Sequence, residues 1–465
     1  MLSPVSKSGI KTYMEALYHT LLPSYIERRL EMVLLMGLSA FMLSCPNVEK
    51  VHPKGTDSAN DFLSIADSPG DDDDSGADVG PAGLMDDPRV GIEVPLTGDD
   101  PMMGFYESLS SLESGERKKV HILHYGDSHT AADFLTTTIR RALQHRFGDG
   151  GRGFVLLGKP WRSYRPKDIE VSATGDWQSE RILIAADPAE LDGFYGLAGI
   201  TTATTTPFAR SFVQTNRDSG FGKEASLFEL FYMVQPKGGK LKVFVDGKQK
   251  GTVSTDGDRK RSGFFKIKVN EGAHEFEVRT VGDGEVRLFG AAVEAERGVV
   301  YDALGVNGGF FYTPHRWNET ALQKQIAERN PDLIVTMYGT NESGSKSITP
   351  ESYKEKVRTT MSRFSRGAPN ASCLMIGPPD RVSNNGEGER LTWIIQVQRE
   401  VAAEIGCGFM DLREMMGGEG AHQIWQEVSP AMAQTDGIHL TVRGYMLLGE
   451  RIAREIIAAY DEHRK

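Results

Sequence analysis

Short apolar runs alternate with amphipathic stretches in two separate parts of the chain. Residues 120–125 (VHILHY) form a β-like run. In residues 131–147 that follow, Phe134, Leu135, Ile139, Leu143 and Phe147 fall on one helical stripe. The alternation then pauses and resumes near residue 299. Residues 299–304, 333–338, 372–377 and 408–412 are predicted strands. Residues 320–329, 351–364 and 391–405 are predicted helices, as is the stretch from Thr441 that lines up Tyr445, Leu448, Ile452, Ile456 and Ile457. The run LIVTMY at 333–338 is apolar throughout, as expected of a strand buried on both faces. Strands alternating with helices predict a parallel sheet covered on both sides, with its chemistry at the carboxyl ends of the strands.

The intervening segment follows a different rule. Residues 226–233, 240–245, 263–269, 274–279 and 285–293 are short alternating runs separated by Gly-, Asn- and Asp-rich turns. This period of two predicts an antiparallel β-sandwich of jelly-roll type, inserted into the α/β domain. The expected organisation is residues 101–160 and 297–465 as the two parts of the α/β domain, with residues 161–296 as the insert.

The N-terminus changes the picture of location. Residues 32–43 (MVLLMGLSAFML) are apolar, follow Arg28 and Arg29, and end at Ser44-Cys45-Pro46. Twelve residues are too few to span a bilayer as a helix and suit the apolar core of a secretion signal. Met42-Leu43-Ser44-Cys45 also looks like a lipoprotein cleavage box, which makes Cys45 the expected lipid-bearing residue. Residues 1–45 are therefore read as an export segment, and the protein is expected to be a periplasmic or cell-envelope lipoprotein.

The net charge is −11, but it is unevenly spread: residues 57–100 hold 13 acidic side chains against Arg89 alone. Residues 46–100 are read as an acidic disordered linker, too poor in apolar groups to offset the entropy of ordering. The rest is close to neutral, with no basic excess of the kind a nucleic-acid binder needs. The three cysteines do not amount to a disulfide framework or a zinc pattern. Cys373 and Cys407 are read as small buried apolar residues. His121 and His124, three apart on a strand, point to opposite faces and make a poor metal pair. No metal or cofactor is implied.

Candidate chemistry sits just after the predicted strands. Gly126-Asp127-Ser128 places a serine hydroxyl at a turn that opens a helix, where orphan backbone N–H groups can stabilise an oxyanion. A serine needs a base to act as a nucleophile. Asp436-Gly437-Ile438-His439 supplies one: the carboxylate can hold Nδ1 and leave Nε2 free for the serine proton. The glycine-rich turn 305–309 can bring a bare N–H close to a ligand, and Asn341 can add an amide donor.

With these residues in place the sequence resembles the SGNH (GDSL-type) hydrolases, whose four blocks match Gly126-Asp127-Ser128, the turn ending at Gly308, Gly339-Thr340-Asn341-Glu342 and Asp436 to His439. The resemblance implies a flavodoxin-like three-layer α/β/α sandwich. It implies Ser128 as nucleophile, His439 as base and Asp436 as its orienter. It further implies an oxyanion hole from the N–H groups of Ser128 and Gly308 and the Asn341 side chain. Glu342 stands where most of the family has Asp.

A longer stretch, residues 124–134 with 146–151, resembles bacterial peptidoglycan O-acetylesterases, which carry a β-sandwich similar to a carbohydrate-binding module at the same point. The implied activity is removal of O-acetyl groups from a cell-wall glycan through an acetyl-serine intermediate. Competing expectations are an O-acetyltransferase, an esterase for another acetylated polysaccharide or lipid, and a glycan-binding lipoprotein without catalysis. Trp161, Arg162, Tyr164 and Arg165 mix aromatic and cationic groups and are candidates for a groove that takes an anionic glycan. The expected partners are an O-acetylated glycan and, through Cys45, a membrane.

Overall fold

The first apolar run becomes a strand because its even and odd positions both find cover. In the computed structural model this strand is Lys119–Gly126, and the residues described are 90–95, 100–162, 164–182, 192–217 and 220–465. The export segment, Cys45 and nearly all of the acidic linker lie outside the described residues.

Helix α1 (Met103–Ser114) precedes strand β1 (Lys119–Gly126). The short helix α2 (Ser128–Ala131) and helix α3 (Phe134–Phe147) follow. Eleven antiparallel strands and one parallel strand come next: β2 (Gly153–Val155), β3 (Ile169–Thr174), β4 (Gln178–Arg181), β5 (Ile200–Thr204), β6 (Arg210–Thr215), β7 (Ala225–Val234), β8 (Lys240–Val245), β9 (Lys248–Ser254), β10 (Arg261–Gly272), β11 (Glu275–Thr280), β12 (Val286–Glu294) and the parallel β13 (Gly298–Gly305). The α/β alternation then returns with α4 (Glu319–Arg329), β14 (Leu333–Met337), α5 (Thr340–Ser343), α6 (Pro350–Gly367), β15 (Ser372–Ile376), α7 (Glu387–Ile405), β16 (Gly408–Met410), α8 (Leu412–Met416), α9 (Ala421–Glu427) and α10 (Val442–His463).

The parallel sheet has the order β13-β1-β14-β15-β16. Alternation along β1 sends Val120 and Ile122 to one face and Leu123 and Tyr125 to the other. The first face packs on α1, α3 and α10, through residues such as Leu109, Ile139 and Leu448. The second packs on α4, α6 and α7, through Ile326, Phe364 and Ile394. This is a three-layer α/β/α sandwich. Local chemistry sets the helix ends: Asn318 caps α4 by accepting from Ala321 N (3.0 Å), and Thr349 caps α6 with Pro350 in its first turn.

The insert holds two antiparallel sheets. One runs β10-β7-β12-β5-β4, with β2 paired to β12, and the other runs β3-β6-β11-β8-β9. Val213, Phe228, Val243 and Phe276 fill the space between them. The outer face of the first sheet is apolar as well. Its Phe231, Phe289 and Ala292 share one core with Leu304, Ile326 and Tyr338 of the α/β domain. Buried charges tie the same seam. Arg329 bonds Asp302 (2.7 Å) on β13 and Glu294 (2.5 Å) on β12, and Lys119 reaches Glu294 at 2.8 Å.

The cysteines depart from the sequence-based expectation. Cys373 and Cys407 form a disulfide across a Cα separation of 4.9 Å. They are distant in sequence, so no spacing motif announces the pair. Parallel pairing of β15 with β16 brings them together, through the register Leu374 to Gly408.

Candidate active site

Two glycines let three segments converge at the end of β1. A Cβ on Gly126 would meet Thr130 Oγ1 at 2.0 Å and Met337 O at 2.8 Å, and one on Gly305 would meet Ala131 N at 2.1 Å. Only a bare backbone fits such contacts, so the end of β13 closes directly on the turn that carries Ser128. Asp127 caps that turn, its Oδ1 accepting from His129 N at 3.0 Å.

Ser128 Oγ lies 3.0 Å from His439 Nε2. His439 Nδ1 lies 2.6 Å from Asp436 Oδ2, and Asp436 Oδ1 accepts from the N–H groups of Ile438 and His439, each at 2.9 Å. Burial opposes ionisation of Asp436, but the His439 hydrogen bond and the two N–H groups outweigh it and lower its pKa to about 2. Asp436 therefore stays a carboxylate, fixes the Nδ1–H tautomer and leaves Nε2 to take the Ser128 proton. Ser128 and His439 are separated by 311 positions in sequence.

The loop after β13 is held at three points. Val306 N donates to Gly126 O (2.9 Å), Asn341 Nδ2 to Gly309 O (2.8 Å) and Phe311 N to Glu342 Oε1 (2.5 Å). Gly308 adopts φ +75 and is exposed, with nothing within 4 Å of its Cβ position. Among the described residues, neither the Ser128 N–H nor the Gly308 N–H donates to another protein group. Asn341 Nδ2 has a second hydrogen left over after bonding Gly309. Donor hydrogens thus remain available on the Ser128 turn, on the loop after β13 and on Asn341, the groups an oxyanion hole could use.

Several contributors escaped the sequence reading. His129 is buried, 5.5 Å from the His439 ring, and its Nδ1 bonds Tyr445 OH at 2.9 Å. Burial and the His439 charge push its pKa well below the ordinary histidine value, so it remains a neutral wall beside the base. Burial raises Asp127 to about 7 and Glu342 to about 8. The only early signals were that Asp127 sits inside the Gly-Asp-Ser block and that Glu342 departs from the family pattern.

Trp161, Arg162, Tyr164 and Arg165 make no bond to the three residues above. Tyr164 turns its hydroxyl inward to accept from Leu156 N (2.9 Å), and its ring packs on Trp161 at 4.7 Å. Arg165 folds onto its own loop, bonding Tyr164 O at 2.9 Å, while Arg162 is exposed. The loop is nevertheless tied to the site. Asp133, just past α2, accepts from Lys167 N (2.9 Å) and Arg152 (2.8 Å), and Lys167 Nζ lies 4.9 Å from the Phe134 ring centre. A separate cleft of about 300 Å³, lined by Glu170, Ser172, Phe212, Gln214 and Glu275, lies on the insert and not at the ends of the parallel strands. Among the described residues no group of three or more His, Cys, Asp or Glu could hold a metal ion.

Parts of the chain and its fold are similar to known proteins. Residues 272–447 match the model of the GDSL-like lipase/acylhydrolase family. That span includes Gly308, Asn341, Asp436 and His439 and stops short of Ser128, which the insert separates from the rest. No curated protein matches the chain. A solved peptidoglycan O-acetylesterase superposes with a TM-score of 0.65 at 24% identity, over 78% of this chain and 98% of that one. A family two carbohydrate esterase from Clostridium thermocellum, in complex with cellohexaose, gives 0.28 at 11% identity over 61% and 99%. A lipase/acylhydrolase from Enterococcus faecalis gives 0.27 at 22% identity over 35% and 78%. The first of these shares the whole fold, insert included. Residues 272–447 are thus similar to the GDSL-like lipase/acylhydrolase family, the fold is the SGNH-type α/β sandwich, and the chain is a carboxylic ester hydrolase.

Proposed function

We propose that the protein is an exported serine esterase that removes O-acetyl groups from a cell-wall glycan of the peptidoglycan type. The observation that carries this reading is the hydrogen-bonded line Ser128–His439–Asp436, where Ser128 lies at the carboxyl end of β1. Two further facts support the substrate and the location. The fold, insert included, is shared with a peptidoglycan O-acetylesterase over 98% of that protein. The Cys373–Cys407 disulfide suits an oxidising compartment and joins the apolar run before Cys45 as a sign of export.

In this reading His439 takes the Ser128 proton as Oγ attacks the acetyl carbonyl. The oxyanion is received by the N–H groups of Ser128 and Gly308 and by Asn341. Collapse breaks the ester C–O bond, His439 gives the proton to the departing sugar oxygen, which leaves as a hydroxyl, and acetyl-Ser128 remains. Water, deprotonated by His439, then releases acetate. The test is acetate release from O-acetylated peptidoglycan against O-acetylated xylan, with Ser128→Ala as control. Preferential release from peptidoglycan, lost in the variant, supports the reading. Release from xylan alone rejects the substrate, and acetyl transfer to a glycan acceptor in place of release marks a transferase. Fatty-acid labelling lost in Cys45→Ala tests the anchor.

A further inference from the structure

Arg381 sits between two fixed points. On one side Asp380 is locked by Arg413 Nε and His422 N, both at 3.0 Å. On the other, Val382 N donates to Gly437 O at 2.9 Å, inside the Asp436–His439 turn. The segment just past β15 is thereby pinned against that turn. The Arg381 side chain points to the other half of the site, where Nη1 donates to Thr340 O (3.3 Å) and Ser343 Oγ (3.1 Å), on the short helix that carries Asn341.

Among the described residues no carboxylate touches the Arg381 guanidinium, and its Nε is buried with no acceptor. Glu387 and Asp436 act on it only from a distance. The nearby acids have closer partners: Asp380 bonds Arg413, Asp436 bonds His439, and Glu387 lies 3.7 Å from Arg390 while also acting on Arg381 through space. Arg390 adds a second cation to the same helix, donating from Nε to Ser343 O at 2.5 Å. A half-buried guanidinium without a carboxylate gives up part of its hydration for little return, and the two neutral acceptors it has occupy one of its nitrogens. Burial and the Arg390 charge both disfavour its protonated form, and Glu387 and Asp436 offset this only in part.

We propose that Arg381 is an anion receptor at the rim of the active site, and that it takes a carboxylate of the substrate while the acetyl ester lies on Ser128. This rests on the cell-wall reading above and narrows it. Glycans of that class present carboxylates either on the lactyl ether of muramic acid or on the attached peptide. The planar fork of arginine matches a carboxylate in a way that lysine does not.

The alternative role, a clamp on the Asn341 helix, predicts a different outcome. The experiment is inhibition of 4-nitrophenyl acetate hydrolysis by N-acetylmuramic acid, its lactyl amide, and muramyl dipeptide with its carboxylate free or amidated. It is run on the intact protein, on Arg381→Met and on Arg381→Lys. The expected result is a ~10–100-fold preference for an acid over its amide, the scale of one charge-assisted hydrogen bond. That preference falls to about one in Arg381→Met and is partly kept in Arg381→Lys. Whichever acid shows it identifies the source of the carboxylate. Equal inhibition by acids and amides, or a preference that survives Arg381→Met while turnover drops, overturns the receptor and leaves the clamp. Because the readout is inhibition of a neutral ester, it stands apart from acetate release on peptidoglycan, whose failure would reject the substrate reading alone.

Discussion

His439 depends on one carboxylate for its tautomer, and that carboxylate depends on backbone N–H groups from its own turn. Asp436→Asn keeps the shape but presents an amide to Nδ1. The expected loss in kcat is ~10⁴-fold, the scale of the same exchange in serine proteases, read by steady-state kinetics on an acetyl ester. Asn341→Ala removes one oxyanion donor and is expected to lower kcat ~10²–10³-fold. It also frees Gly309 O, so the variant reports on the loop as well. Glu342 is the residue-scale test of burial. Desolvation raises its pKa to about 8, above the ordinary value, although the Phe311 N–H opposes the shift. The protonated acid is therefore the form that suits the fold. Its contribution is complete below the unfolded value of about 4.3 and is lost as pH rises through 8. Thermal melts from pH 5 to 9 are expected to fall with rising pH in the parent and to be flatter in Glu342→Gln; parallel profiles would remove Glu342 as the cause. Ser128, Asp436, His439 and Asn341 were legible in the sequence because each lies in a short block at a strand end or in a turn. Arg381, His129 and the Glu342–Phe311 bond were not, since their roles come from burial and from partners far along the chain.

Elements with a strong period were legible for the same local reason. The predicted helix at 391–405 is Glu387–Ile405 in the structure, and the strand at 240–245 has the same bounds. Those that escaped have no such period. β5 reads ITTAT, with Thr201 and Thr202 buried and bonded through their hydroxyls to Leu288 O and Leu157 O. β4 reads QSER and is an edge strand with no buried face. The disulfide belongs to this scale too, because it joins β15 to the start of β16. Replacing both Cys373 and Cys407 with Ser is expected to cost ~2–4 kcal/mol in denaturant unfolding. An unchanged midpoint would show that the bridge does not stabilise this pair of strands.

At the scale of the whole molecule, the insert is part of the hydrolase and not an appended module. Phe231, Phe289, Leu304 and Ile326 lie in one core, and Arg329 joins Glu294 of the insert to Asp302 of the parallel sheet with all three side chains buried. Sequence patterning marked the insert by its change of period. It did not show the shared core, since both faces of β12 are buried and read alike. Calorimetry is therefore expected to show one unfolding transition. Arg329→Met leaves Asp302 and Glu294 buried without their cation and is expected to lower it by ~3–5 kcal/mol. Two separate transitions, with only one moved by the variant, would show that the two parts fold independently.

The account as a whole turns on covalent chemistry at one hydroxyl. Its most direct test is the mass of the peptide that carries Ser128, taken from enzyme quenched in acid during turnover of an acetyl ester. The prediction is one acetyl group on Ser128, absent before substrate is added and absent in Ser128→Ala. Turnover with that peptide unmodified, together with full activity in Ser128→Ala, would contradict it.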